Sequence, residues 1–340
     1  MKTPILFIIF NRPETAKRVF QTIRESKTPR LYVAADGPRS NKPGDAEKCK
    51  KTRAIIENVD WDCEVKTLFR EGNLGCREGV SGAISWFFEQ EEEGIILEDD
   101  ILPVPTFFRY CEELLEKYRD NTKIGMISGF NPVWKRLQRN NGYLFSIYNH
   151  IWGWATWRRS WLQYDYYMKD WPVWRASGTL EKLSKGHKPF VYFWKRWMDI
   201  AYAGKSGSWD SQWHFTCWKN GWINILPKYN QTFNIGFFKD IEATHPFDEV
   251  PGYIMESRPE PLEFPLIHPY EITIDNEIDK FIGQYAYGIP KINYPQFLLR
   301  VKGIIIENPR AFAVNYIKKN EKTYKFLKNV FKKRNKVDIS

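Results

Sequence analysis

Cysteine is scarce in this 340-residue chain: Cys49, Cys63, Cys76, Cys111 and Cys217 are five in number, widely spaced and without a CxxC pair. That spacing argues against structural zinc and a disulfide framework, and fits a reducing compartment. No run of apolar residues approaches the ~18 of a membrane span. Neither a GxGxxG turn after the first apolar run nor a GxxxxGK[ST] loop occurs, so both common backbone cradles for phosphate are missing. Internal repeats are absent too. Charge of one sign is lacking over residues 1–295, where 39 basic and 38 acidic residues leave +1. Nucleic acid is accordingly not an expected partner.

What is present is a folded composition, 43% hydrophobic and 16% aromatic, with fifteen tryptophans. The opening MKTPILFIIFNRPE has an apolar centre but runs into Asn11, Arg12 and Pro13 without a small-residue cleavage site, and reads as a buried strand rather than a signal peptide. Further short runs follow at 30–36, 63–69, 94–99 and 124–129. Between the first two, PETAKRVFQTIRES opens on Pro13 and puts Ala16, Val19, Phe20 and Ile23 on one helical face. Helical spacing recurs at Val80–Phe88 and Phe107–Tyr118. Strict strand–helix alternation implies right-handed crossovers and a parallel sheet, whose ligands bind beyond the strands' carboxyl ends. The residues expected at that edge are Asn11 and Arg12, Asp36 and Gly37, Arg70 to Asn73, and Glu98 to Asp100.

The last of these, in GIILEDDILP, sets three acids side by side after an apolar strand. Like charges so close need a cation among them. Hard carboxylate oxygens suit Mg²⁺ or Mn²⁺, typically held by one or two carboxylates plus the substrate's phosphate oxygens. The plainer alternative is a set of acids complementing a helix N-terminus.

FNRP, then ADG, then IILEDDILPVPTFFRY, with IWGWATWRRSW and SWDSQW…NIGF…ATH further on, resembles nucleotide-sugar-dependent glycosyltransferases of the GT-A fold. The likeness covers about residues 3–246. It is closest to bacterial family-2-like transferases and more distant to the Golgi N-acetylglucosaminyltransferase that acts on α-linked mannose. The resemblance implies that Arg12 contacts the nucleotide, that Asp36 accepts from the uracil imide, that Asp100 ligates the metal, and that Glu98 and Asp99 lie by the donor sugar and ribose. Asp210 of SWDSQW falls where the general base sits, although the relative has a shorter WDDW. Read from chemistry, Asp36 is either that imide acceptor or a turn aspartate before Gly37. Arg77 is either a diphosphate partner beside a helix N-terminus or a surface arginine. Asp210 is a base or a helix cap. Most tryptophans belong in a core, with Trp152 and Trp154 facing a sugar and Gly153 between them allowing a close approach of ligand. Trp209 and Trp213 are expected to wall an acceptor pocket. His245 of ATHP is a second metal ligand or a structural histidine.

The fold expected is thus α/β of the GT-A type, a mostly parallel central sheet flanked by helices with a basic helical C-terminal tail. Residues 1–250 form the catalytic domain, 1–130 binding nucleotide and 131–250 acceptor; 251–295 are a Pro-rich connector. Residues 296–340 are a tail with 12 Lys/Arg against 3 Asp/Glu. That tail reads as an attachment to an anionic membrane surface or as a solvated basic helix. The expected activity is metal-dependent, inverting transfer of a hexose or N-acetylhexosamine from a UDP-linked donor to a saccharide or glycolipid acceptor. The setting is surface-polysaccharide assembly, in the cytoplasm or at the inner face of the plasma membrane. A sugar nucleotidyltransferase and a non-catalytic carbohydrate-binding protein are the rival classes.

Overall fold

The computed structural model describes residues 1–136, 140–237, 254, 256 and 258–291. His245 and the basic tail lie outside the described residues. Two units divide the chain, one of residues 1–180 and 194–289, the other of 181–193 and 290–340; all that follows on the site concerns the first.

Five strands stand where the apolar runs place them: β1 (Ile5–Ile9), β2 (Arg30–Ala35), β3 (Glu64–Phe69), β4 (Glu93–Glu98) and, after the short β5 (Ile101–Pro103), β6 (Ile124–Ser128). Crossovers are α1 (Pro13–Ser26), α2 (Asp45–Arg53), α3 (Gly75–Phe88) and α4 (Thr106–Tyr118). Helix α1 starts on Pro13, whose fixed φ and missing N–H suit a first turn, and buries Ala16, Val19, Phe20 and Ile23 as its periodicity requires. Beyond β6 come β7 (Tyr143–Ser146), β8 (Trp154–Trp157), the helices α5 (Arg158–Trp161), α6 (Trp171–Ala176), α7 (Thr179–Leu183), α8 (Lys188–Tyr202) and α9 (Asp210–Lys219), then β9 (Ile223–Pro227), β10 (Thr232–Asn234) and α10 (Asn276–Tyr285).

The result is a mixed α/β fold with an eight-stranded central sheet in the order β3-β2-β1-β4-β8-β6-β9-β7. β1 runs parallel to β2 and β4, and β2 to β3, with Ile8 opposite both Ala34 and Glu98. β8 enters antiparallel between β4 and β6, and β7 antiparallel beside β9. Two apolar layers cover the sheet. One gathers Phe7, Val19, Phe107 and Leu114, the other Leu6, Ile84, Trp154 and Trp213. Part of the expected connector joins the first layer, because Leu262 and Leu266 are buried there and α10 follows in the same unit.

Candidate functional site

Four parallel strands end together, so Phe10, Asp36, Arg70 and Glu98 arrive on one side of the sheet. They line a cleft of about 450 Å³. The cleft also takes Arg12, Asp99, Asp100, Trp152 and Asp210, and so unites seven of the residues singled out in the sequence. The antiparallel pair of β5 and β10 brings Asn234 to the same wall, held by the bond from Ile235 N to the Asp100 carbonyl (2.8 Å).

Arg12 sits among the acids of EDD. Its guanidinium is paired with Asp99 and, at 2.8 Å, with Asp100 Oδ2, while Phe10 N donates to Asp99 Oδ2 at 3.0 Å. Burial works against the arginine's charge, but Asp99 and Asp100 outweigh it and hold its pKa above the ordinary value. Among the described residues Arg12 is one cation against three adjacent carboxylates. Burial, then Asp100 and Asp99, push Glu98 up to about 8. Burial also lifts Asp99 to about 6 although Arg12 pulls the other way.

Asp36 holds a turn, the second of its two sequence readings. Its carboxylate accepts from Gly37 N, from Asn73 Nδ2 (2.9 Å), and from the backbone of Leu74 and Gly75, where α3 begins. A carboxylate has roughly four acceptor sites. These donors engage both oxygens, so Asp36 organises the 73–75 turn at the wall of the cleft. The loops meet so closely that a Cβ on Gly37 would lie 2.4 Å from the Gly72 carbonyl carbon.

Four further expectations are corrected by packing and side-chain contacts. Trp154 is 1% exposed, stacked on Trp209 at 5.7 Å and packed against Trp161 and Trp213, so it is core and faces no sugar. Trp213 is likewise buried, its indole N–H directed at Met126 Sδ (3.1 Å), and only Trp209 of that pair touches the cleft. Gly153 takes φ +68°, and the space a Cβ would fill belongs to Thr232 at 2.5 Å rather than to a ligand. Arg77 is held away from the cleft by the Tyr166 carbonyl (2.7 Å) and lies over the Tyr166 ring at 4.2 Å. The cations that do line the cleft with Arg12 are Arg39 and Arg70, which sequence reasoning missed as ligands. Arg70 follows β3 directly and was legible as a strand-end residue. Arg39, tied to Asp45 at 2.8 Å, was not.

Asp210 opens α9 in its first turn, after a loop in which Gly207 has φ +66°. Burial raises its pKa. It borders the cleft and also a second, smaller chamber of about 220 Å³ on the other side of Ile151 and Trp152. Among the described residues no three His, Cys, Asp or Glu side chains form a ready-made metal cage. The donor set nevertheless fits a hard divalent ion sharing one or two carboxylates with a ligand's phosphates. No described helix is long and apolar enough to cross a membrane.

No family model and no curated protein matches the chain. Among solved structures, residues 1–349 of S. aureus TarS align at a TM-score of 0.40 and 10% identity, over 70% of this chain and 61% of that one. HddC from Yersinia pseudotuberculosis aligns at 0.25 and 10% identity, over 37% of this chain and 56% of that one. Its complex with GMP-PN aligns at 0.28 and 8% identity, over 46% and 77%. The chain thus spans 61% of the TarS segment and 56% of HddC.

Proposed function

We propose that the protein is a glycosyltransferase of GT-A type that moves a hexosyl or N-acetylhexosaminyl group from a nucleoside-diphosphate sugar, UDP-linked, to a saccharide hydroxyl with inversion. The observation that carries this reading is the position of Asp210, a half-buried carboxylate at the junction of an acid-lined cleft and an aromatic chamber. A base placed between a donor and an acceptor can take the proton of the attacking hydroxyl. Burial raises its pKa, which favours that task.

Five carboxylates (Asp36, Glu98, Asp99, Asp100, Asp210) and three arginines (Arg12, Arg39, Arg70) line the cleft. A diphosphate entering an excess of acid needs a cation with it. We assign Mn²⁺ or Mg²⁺ to Asp100, with His245 as a second candidate ligand; when bound, the ion supplies charge stabilisation to the departing diphosphate. Arg12 positions Asp99 and Asp100 and lies within the nucleotide's reach, Glu98 and Asp99 border the donor sugar and ribose, and Trp152 offers a ring face between the two cavities. Asp36 serves through the loop it holds. Surface-polysaccharide assembly is the proposed setting, with the basic tail at an anionic membrane surface near a glycolipid acceptor.

The test is product analysis with a panel of sugar nucleotides, Mn²⁺ and oligosaccharides. Free nucleoside diphosphate and a glycoside of inverted anomeric configuration are expected. Pyrophosphate would mark a nucleotidyltransferase, and no turnover of any donor a carbohydrate-binding protein.

A further inference from the structure

The smaller chamber has a chemistry of its own. Phe130, Trp152, Trp194 and Tyr287 give it ring faces, and His150 and His214 give it nitrogen. Among the described residues that line it, Asp210 is the one carboxylate and there is no lysine or arginine. Both imidazoles bury an Nε2 atom that has no partner among the described residues, and His214 is only 6% exposed. An unpaired buried polar atom is costly, and such atoms in native proteins call for an explanation. The histidines are held by stacking instead: His214 lies on Trp194 with centroids 4.4 Å apart, and His150 meets the edge of Phe130 at 5.7 Å. Burial keeps both uncharged, His150 down to about 3. A neutral imidazole nitrogen can donate or accept according to its tautomer, which matches a hydroxyl. Ring faces match the C–H faces of a pyranose. A carboxylate or phosphate on the incoming sugar would meet no counter-charge among the described residues and would stand near Asp210.

Resting on the transferase reading, we infer that the acceptor's terminal residue is an uncharged pyranose that enters this chamber, its hydroxyls closing on His150 and His214 and its attacking hydroxyl on Asp210. His150 and His214 are thereby specificity-determining residues, and the acceptor class excludes uronic acids, sialic acids and phosphorylated sugars. The chamber has about half the volume of the cleft, which favours one ring over a longer segment.

The full 340-residue chain, with UDP and Mn²⁺, is titrated with methyl glycosides of glucose, galactose, N-acetylglucosamine and glucuronic acid, followed by saturation-transfer NMR and tryptophan fluorescence. At least one neutral glycoside is expected to bind ten times or more tighter than the glucuronide. His150→Phe and His214→Phe are expected to weaken that glycoside tenfold while UDP affinity stays within twofold, and His→Gln, which restores a neutral polar group, to recover most of the loss. Equal or tighter glucuronide binding overturns the inference. So does glycoside binding indifferent to both Phe variants. Should those variants fold poorly, the wild-type ranking of glycosides decides alone. Neutral-glycoside binding without any nucleotide binding would sustain the chamber's assignment while the transferase reading falls.

Discussion

Acids crowd both ends of the sheet, and the two ends treat them differently. Before the starts of β1, β2 and β4 lies the larger hollow, a groove of about 1420 Å³ lined by Glu91, Glu92 and Glu93 among others. There Glu91, Glu92 and Glu93 each meet an arginine: Arg30 meets Glu91 and Arg119, which also pairs with Glu116, meets Glu93, each at 2.7 Å, and Arg158 pairs with Glu92. Beyond the strands' other ends, Asp99 and Asp100 share Arg12, and Glu98 is pushed up to about 8. Size alone favours the groove as the functional site. Charge balance among the described residues favours the smaller cleft, where five carboxylates face three arginines.

The largest effects should come from the cleft. Asp210→Asn is expected to bind UDP and Mn²⁺, melt within a few degrees of wild type and lose transfer by ~10² or more. A capping role alone would cost ~1 kcal/mol of stability and spare activity. Asp100→Asn should lose transfer as severely, with the melting temperature as the check on folding.

Arg12→Ala comes next and sharpens the contrast in stability. Removing one partner from a buried ion pair typically costs about 3–5 kcal/mol, and urea unfolding should read a loss of that order, since the Arg12 side chain is 15% exposed and that of Asp99 3%. Mn²⁺ is expected to raise the melting temperature of this variant more than that of wild type, because a second cation then does what the guanidinium did. Glu93→Gln in the groove should cost no more than about 1 kcal/mol, as an exposed pair does, and leave transfer untouched.

A smaller effect separates the aromatic chamber from both. His150 titrates near 3 in the folded chain against an ordinary 6.5. Between those values the unfolded state binds more protons, so the stability this group leaves intact above 6.5 is lost as pH falls toward 3. Asp279, lifted by burial to about 7 from 3.8, has the opposite sign, destabilising progressively as pH rises through that window. His150→Gln should therefore flatten the acid limb of a melting-temperature profile, and Asp279→Asn the neutral one.

Much of this organisation is legible in the chain. Buried parallel strands read as continuous apolar runs, which is why ILFII and GIILE could be placed. Their ends could be listed because such a sheet delivers them to one edge. β8 escaped notice for a physical reason: all four residues of WATW are buried, so neither alternation nor a longer run marks it, and its place between β4 and β6 is set by contacts far away in sequence. The acids of EDD announced a need for positive charge, but that Arg12, 88 positions before Asp100, meets part of it is a tertiary fact. Likewise Trp152 and Trp154 differ in nothing visible beforehand, yet one borders the cleft and the other is core. Asp36 stood at the right edge, and the three donors of residues 73–75 that occupy it came from another loop.

The central claim is that the cleft's acids are balanced by a cation that comes with the nucleotide. Titration calorimetry of UDP into the full chain, with Mn²⁺ and then with EDTA, tests it most directly. The account predicts binding at least tenfold tighter with the ion, an advantage that Asp100→Asn erases. Equal affinity for UDP in EDTA and in Mn²⁺ would contradict it.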